Sequence, residues 1–231
     1  MAIAGIGGVI RGATGFGGAM VMTPTLSVLL GPVPAVVSAL LLETFAAFSM
    51  LPAAARLARW RMIAPICTAA CVTAPLGGYL LLTLDPQLMR RAIAATVLVF
   101  SLVLLTGLRY RGQQRPGTSL VLGAISGVLV GATSVGAPPV ILYLLAGSDR
   151  ADVTRANLTL FVTIISLAAL AVMAWRGMLD GPVALTALLL SPLYLGGVWL
   201  GSRLYGRVDA SAMRRWTLIF LLVVSGAVLA L

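Results

Sequence analysis

The chain has no histidine and no lysine, two cysteines, and only six acidic residues in 231, one of which is glutamate. Each scarcity excludes something. Without histidine the commonest general base and metal ligand is missing. A hydrolytic or metal-dependent enzyme would have to be assembled from five scattered aspartates (Asp85, Asp149, Asp152, Asp180, Asp209) and Glu43, and no nucleophile–base pair or acidic pair suggests itself. Cys67 and Cys71 stand four apart on one apolar stretch. Two thiols without further soft ligands make a poor metal site, so they are read as small buried residues, with no metal and no cofactor expected. Charged residues make up only 10% of the chain, against about a quarter in a soluble domain.

What fills the chain instead is apolar: 60% hydrophobic residues and a mean hydropathy of +1.07. The apolar content comes in runs of roughly 20 residues, what a helix needs to cross a ~30 Å hydrocarbon core. A barrel would alternate apolar and polar residues, so the expectation is an all-α, polytopic transmembrane helical bundle, multi-pass in the lipid bilayer. The net charge of +10 comes from sixteen arginines. They sit between the apolar runs, where they set membrane orientation. No basic stripe with interleaved aromatics points to nucleic acid, and none is expected as a partner. Trp60, Trp175 and Trp216 near the ends of spans read as interfacial belt residues.

The chain reads as two related halves. GVIRGATGFGGA (Gly8–Ala19) matches GVLVGATSVGAP (Gly127–Pro138), PLGGYLL (Pro75–Leu81) matches YLGGVWL (Tyr194–Leu200), and DPQLMRRAI (Asp85–Ile93) matches DASAMRRWT (Asp209–Thr217). The offsets are 119, 119 and 124 residues, in the same order, which indicates an internal duplication. The expected division is a first transmembrane repeat over 1–108, a polar linker over 109–117, and a second repeat over 118–231. Each half is expected to hold one long Gly/Pro-broken or hairpin segment (Ala2–Leu30 and Thr118–Ala146) and three simple spans.

A straight helix over the first broken segment would be about 43 Å long at ~1.5 Å per residue, too long for a simple crossing. It either crosses as a bent helix or turns back as a hairpin. If the broken segments cross, the arginines divide almost evenly between the two sides. If they turn back, twelve arginines share one side, with Arg90, Arg91 and Arg176 opposite and Arg11 inside the membrane. The positive-inside rule favours the hairpin, and with three crossings per half it makes the repeats inverted.

A helix broken in the membrane frees backbone groups that are tolerated only where protein or a water-filled cavity satisfies them, and a half-helix aims its positive N-terminal end at the bilayer middle. Gly15, Gly17 and Gly18 allow close backbone approach, with the hydroxyls of Thr14 and Thr23 beside them. Thr133, Ser134 and Gly136 offer the same in the second half, where Pro138 and Pro139 suit the first turn of a new half-helix. The alternative is that these Gly and Pro only permit close helix packing.

Two charges stand out. Arg11 lies beside the first break, with Val130 as its counterpart; Glu43 lies mid-span, against an apolar position near Leu160. Intramembrane charge is costly and is usually functional or paired. One reading has Arg11 neutralising an anionic substrate while Glu43 carries a coupling proton. The other is an Arg11–Glu43 pair that only fixes helix packing, or an Arg11 that snorkels to the interface. Asn157, at the place of Ser38 in the first half, is a further candidate to donate to a substrate or to cap a helix.

RGATGFGGAMVMTPTLSVLLGP (Arg11–Pro32), a Glu-bearing span, PLGGYLL and an Asp-containing turn before LMRR together resemble the sulfite exporter TauE/SafE family of bacterial membrane permeases, and GVLVGATSVGAPP (Gly127–Pro139) resembles that family's second-half signature. The resemblance covers essentially the whole chain. It implies a secondary transporter of a small sulfur-containing or organic anion, such as sulfite or a sulfonate, in the bacterial cytoplasmic membrane, with the broken segments holding the anion. A passive anion channel and a non-transporting membrane scaffold are the competing readings. A scaffold would explain the helices but not the repeated breaks.

Overall fold

The structure is a computed structural model. It describes residues 1–106, 115–144, 149–204 and 210–230, without the side chains of 116, 210–214, 216 and 230. Most of the polar linker (109–114), Ala146, Arg207 and Asp209 lie outside the described residues, as does the side chain of Trp216.

The described residues form ten helices and no strand. In the first half these are α1 (Ala2–Thr14), α2 (Gly18–Leu30), α3 (Pro32–Leu57), α4 (Trp60–Thr83) and α5 (Pro86–Leu105). The second half holds α6 (Pro116–Thr133), α7 (Ala137–Leu144), α8 (Ala151–Trp175), α9 (Gly181–Leu204) and α10 (Ala210–Ala230). Five of them, α3, α4, α5, α8 and α9, are long and apolar enough to cross a membrane. Proline starts several: Pro32, Pro86 and Pro116 occupy the first turns of α3, α5 and α6, where a missing N–H costs nothing. Asp85 caps α5 by accepting the N–H groups of Gln87 and Leu88 at 2.8 and 3.1 Å.

The expected breaks are present, at Gly15–Gly17 and at Ser134–Gly136. The first turns the chain back on itself. A Cβ on Gly7 would lie 3.1 Å from Met22 Cγ and 3.2 Å from the Gly18 carbonyl oxygen, so α2 runs back alongside α1. A straight continuation would hold residues 7 and 22 about 22 Å apart.

Lipid offers no hydrophobic drive for helix to meet helix, so close association relies on small residues. Gly8 and Gly12 of α1 lie against the backbone of α9 at Tyr194 and Val198, and Gly201 of α9 lies against Val9 of α1. Gly127 and Gly131 of α6 meet Ala70 and Ala74 of α4 in the same way, and Gly77 meets Val128. At each of these positions a Cβ would overlap a carbonyl oxygen of the facing helix.

These contacts revise one part of the sequence alignment. Ala70, Ala74 and Gly77 on α4 take the places of Tyr194, Val198 and Gly201 on α9, an offset of 124 rather than the 119 that PLGGYLL and YLGGVWL suggested. The Gly-Gly pairs are a local coincidence, because the register is set by which backbone each glycine touches. The breaks, and the starts of α3 and α8, keep the offset of 119. The five extra residues of the second half therefore fall at the α8–α9 connection, around Arg176–Pro182.

Helix pairings come in exchanged sets: α1 with α9 and α6 with α4, α2 with α10 and α7 with α5, while α3 packs on α8 and α5 on α10. α3 and α8 are antiparallel. The Arg59 N–H that follows α3 donates to Asn157 Oδ1 near the start of α8 at 2.8 Å, whereas Glu43, in the middle of α3, shares a cavity wall with Val162 and Ser166.

Candidate functional site

Both breaks are built by one local device. The last residue of α1, Thr14, sets its hydroxyl 2.8 Å from the Ile10 carbonyl and accepts the Phe16 N–H at 3.3 Å. The last residue of α6, Thr133, donates to the Leu129 carbonyl at 2.7 Å and accepts the Val135 N–H at 3.2 Å. The next residue is left-handed in each case, Gly15 with φ 83° and Ser134 with φ 58°. Ser134 is the only non-glycine with positive φ among the described residues. The two threonine hydroxyls thus form the turns themselves, satisfying backbone that the breaks would otherwise expose.

The breaks meet. Thr23 Oγ1 of α2 and Ser134 Oγ lie 2.5 Å apart, both buried, and Ser134 also reaches the Thr133 carbonyl at 2.6 Å. Between the segments is a cavity of about 20 Å³ whose wall includes Gly17, Ala19, Glu43, Ser134, Gly136 and Ser166. That is room for about one water.

Around the first break the structure brings Arg11 and Glu43 together at full burial, 0% and 2% exposed. Arg11 Nε is 2.7 Å from Glu43 Oε2. The two are charge partners without hydrogen-bond alignment, and Arg11 Nη2 has no hydrogen-bond partner. Arg11 Nη1 donates to the Gly15 carbonyl at the end of α1. The other carboxylate oxygen, Oε1, accepts the Ala19 N–H in the first turn of α2 at 2.9 Å and the Tyr194 hydroxyl of α9 at 3.0 Å. Gly18 is required here: a Cβ would lie 2.6 Å from Glu43 Oε1 and would overlap the Tyr194 hydroxyl. The positive end of the half-helix, where an anion would be favoured, is therefore filled by the protein's own Glu43 carboxyl.

The second break carries no such cluster. By the offsets of the helices concerned, Arg11, Glu43 and Tyr194 are replaced by Val130, Val162 and Ala70. Pro138 and Pro139 lie buried in the first turn of α7, as expected of a half-helix start, and have no N–H to offer a ligand. Gly136 packs back on Ser126 and Val130 of α6, where a Cβ would overlap both.

Of the residues singled out in the sequence, Arg11, Glu43 and the Gly15–Gly18 run gather at one point, and Ser134 and Gly136 join them across the cavity. Asn157 is not on that cavity wall; its Oδ1 holds the start of α4. Tyr194 was missed, although it is the one aromatic hydroxyl on α9 and has an alanine as its counterpart. Arg155 was missed too. Its Nη2 donates to the Gly12 carbonyl, and its Cγ and Thr159 Oγ1 bear on Gly15, where a Cβ would lie 3.0 and 2.9 Å from them. Both side chains line a groove of about 680 Å³ between α3, α8 and α9, so the floor of that groove is the back of the first break. Among the described residues there is no cluster of three or more His, Cys, Asp or Glu, and Cys67 and Cys71 are free thiols.

The model of the family described as sulfite exporter TauE/SafE matches residues 1–228. Comparison with curated proteins and with solved structures gives no match. With a match over nearly the whole length, on an all-helical chain with five helices able to span a bilayer, the chain belongs to the TauE/SafE sulfite exporter family of membrane transport proteins.

Proposed function

We propose that the chain is a secondary transporter of a small sulfur-containing or organic anion, such as sulfite or a sulfonate, working by alternating access around the two broken segments in the bacterial cytoplasmic membrane. The observation that carries this reading is the meeting of the breaks. The half-helix that follows the first turn is joined to the second turn by the Thr23–Ser134 contact, beside a buried arginine and a half-helix N-terminus. Paired half-helices at the interface of two repeats are how several transporter folds hold a substrate near the bilayer midplane. The cavity between them holds about one water, so the structure corresponds to a closed centre, and the groove behind Gly15 offers a way in from one side.

The proposal includes two inverted repeats, 1–108 and 118–231, joined by the linker 109–117. Antiparallel packing of the equivalent helices α3 and α8, the exchanged helix pairings and the turned-back first break all favour inversion, because parallel repeats would set α3 and α8 side by side in one direction. Labelling from outside tests this part. Arg91 and Arg215 are exposed in the opening turns of α5 and α10, and cysteines placed there should label from opposite sides; labelling from the same side excludes inversion.

Transport itself is tested with purified protein in liposomes, measuring uptake of sulfite, sulfoacetate, taurine and thiosulfate with and without a pH gradient. Saturable uptake of at least one anion above empty liposomes is expected. Uptake of none defeats the proposal, and uptake linear in concentration with no response to a gradient identifies a channel instead.

A further inference from the structure

We infer that Glu43 is an internal ligand occupying a single oxyanion site, and that a monoanionic substrate takes its place only when Glu43 accepts a proton. The inference rests on the transporter reading and adds a substrate charge class and a stoichiometry to it. Two donors and one cation converge on the carboxyl from three elements: the Ala19 N–H of α2, the Tyr194 hydroxyl of α9, and the Arg11 guanidinium of α1. Arg11 Nη2 stays unpartnered at zero exposure, a donor left over in a site where each buried donor needs an acceptor. Glu43 Oε2 makes no hydrogen bond either, so the carboxyl does not satisfy the donors around it; a sulfonate or hydrogensulfite head, with three oxygens, presents acceptors in more directions.

Replacing a buried ion pair by packed apolar residues is often neutral or stabilising, and the second half has done so with Val130, Val162 and Ala70 at the corresponding places. The polar set therefore marks one site per chain.

Space and charge fix the order of events. The cavity beside Glu43 admits about one water, so an anion cannot sit there while the carboxylate remains. Among the described residues, Arg11 is the cation paired with the carboxylate. The wall residues that α6, α7 and α8 contribute to this cavity carry no charge. Among the described residues, Arg61, Arg90, Arg91, Asp152 and Arg203 on the elements packed around α3 are not ion-pair partners of Glu43, and Arg155 bears on the first break from the other side, at Gly12 and Gly15. With Glu43 ionised, Arg11 and Glu43 sum to zero. With Glu43 protonated and a monoanion bound, the sum is again zero. A dianion, or a monoanion bound beside ionised Glu43, leaves an uncompensated buried charge. One proton therefore enters with each monoanion, on the Glu43 carboxyl, and leaves with it.

The experiment uses the full chain in liposomes with labelled methanesulfonate as the monoanion, labelled sulfate as the dianion, and a trapped pH dye. The expected results are one proton per methanesulfonate, sulfate uptake at least tenfold slower, and methanesulfonate affinity that falls as pH rises, approaching about tenfold per unit. Glu43→Gln should abolish proton movement and flatten that pH profile. Proton-coupled uptake in Glu43→Gln, or equal uptake of the two anions, overturns the inference and leaves transport standing. Sulfite uptake without methanesulfonate uptake overturns it as well, whereas no uptake of any anion removes the transporter reading with it. Should Glu43→Gln not fold, Tyr194→Phe carries the test. It should weaken methanesulfonate binding about tenfold with the proton ratio still one, and unchanged affinity overturns the inference.

Discussion

Thr23 and Ser134, 111 residues apart in sequence, place their hydroxyl oxygens 2.5 Å from each other in the buried centre of the molecule. The contact joins α2 of the first half to the turn that ends α6 in the second. It is the point at which the two broken segments, each intelligible alone as a way to fit a long apolar stretch into a bilayer, touch.

Ser134 adopts a left-handed conformation that costs an ordinary L-residue roughly 1–2 kcal/mol, and Gly15 occupies the equivalent place without that cost. Ser134→Ala loses the Thr23 contact and keeps the strain; Ser134→Gly loses the contact and relieves it. The glycine variant should be more stable than the alanine variant by about 1 kcal/mol, read from thermal unfolding in detergent. Equal stability would mean that the turn is not held in this conformation.

The glycine faces should separate sharply by position. Gly12→Ala drives a methyl into the Val198 carbonyl of α9, and Gly127→Ala does the same at Ala70 of α4. Each should cost about 1–3 kcal/mol. Gly196 has open space where its Cβ would be, and Gly196→Ala should be neutral or stabilising by up to about 1 kcal/mol through helix propensity alone. Unfolding temperatures of the three variants check this.

The glycine spacing shows why the architecture was legible and its register was not. The apolar runs and the two breaks follow from composition and spacing, which bilayer thickness and backbone satisfaction translate directly into structure. The alignment of PLGGYLL with YLGGVWL failed because a glycine's meaning in a tight helix pair is the backbone it touches. Two adjacent glycines shifted by five residues look alike in sequence and differ in facing partner. Arg11 and Glu43 stood out because intramembrane charge is rare. Tyr194 did not, because a tyrosine among apolar residues is ordinary until a carboxylate is found 3.0 Å from its hydroxyl.

Asn157 is expected to act on stability rather than on substrate. Its Oδ1 accepts the Arg59 N–H at 2.8 Å, fixing the start of α4 against α8. Asn157→Ala should lower stability by about 1 kcal/mol while leaving the KM for the transported anion within twofold. A tenfold rise in KM with stability retained would return Asn157 to the binding site.

A cross-link between α2 and the turn that ends α6 tests most directly whether the two broken segments move apart during transport. With Cys67 and Cys71 replaced by alanine, Thr23→Cys and Ser134→Cys place two thiols where the hydroxyls now touch, close enough for a disulfide. If anions pass by separation of the two broken segments, oxidation should abolish uptake in liposomes and a reductant should restore it, while either single-cysteine variant is indifferent to both. Full cross-linking with undiminished uptake would contradict the account.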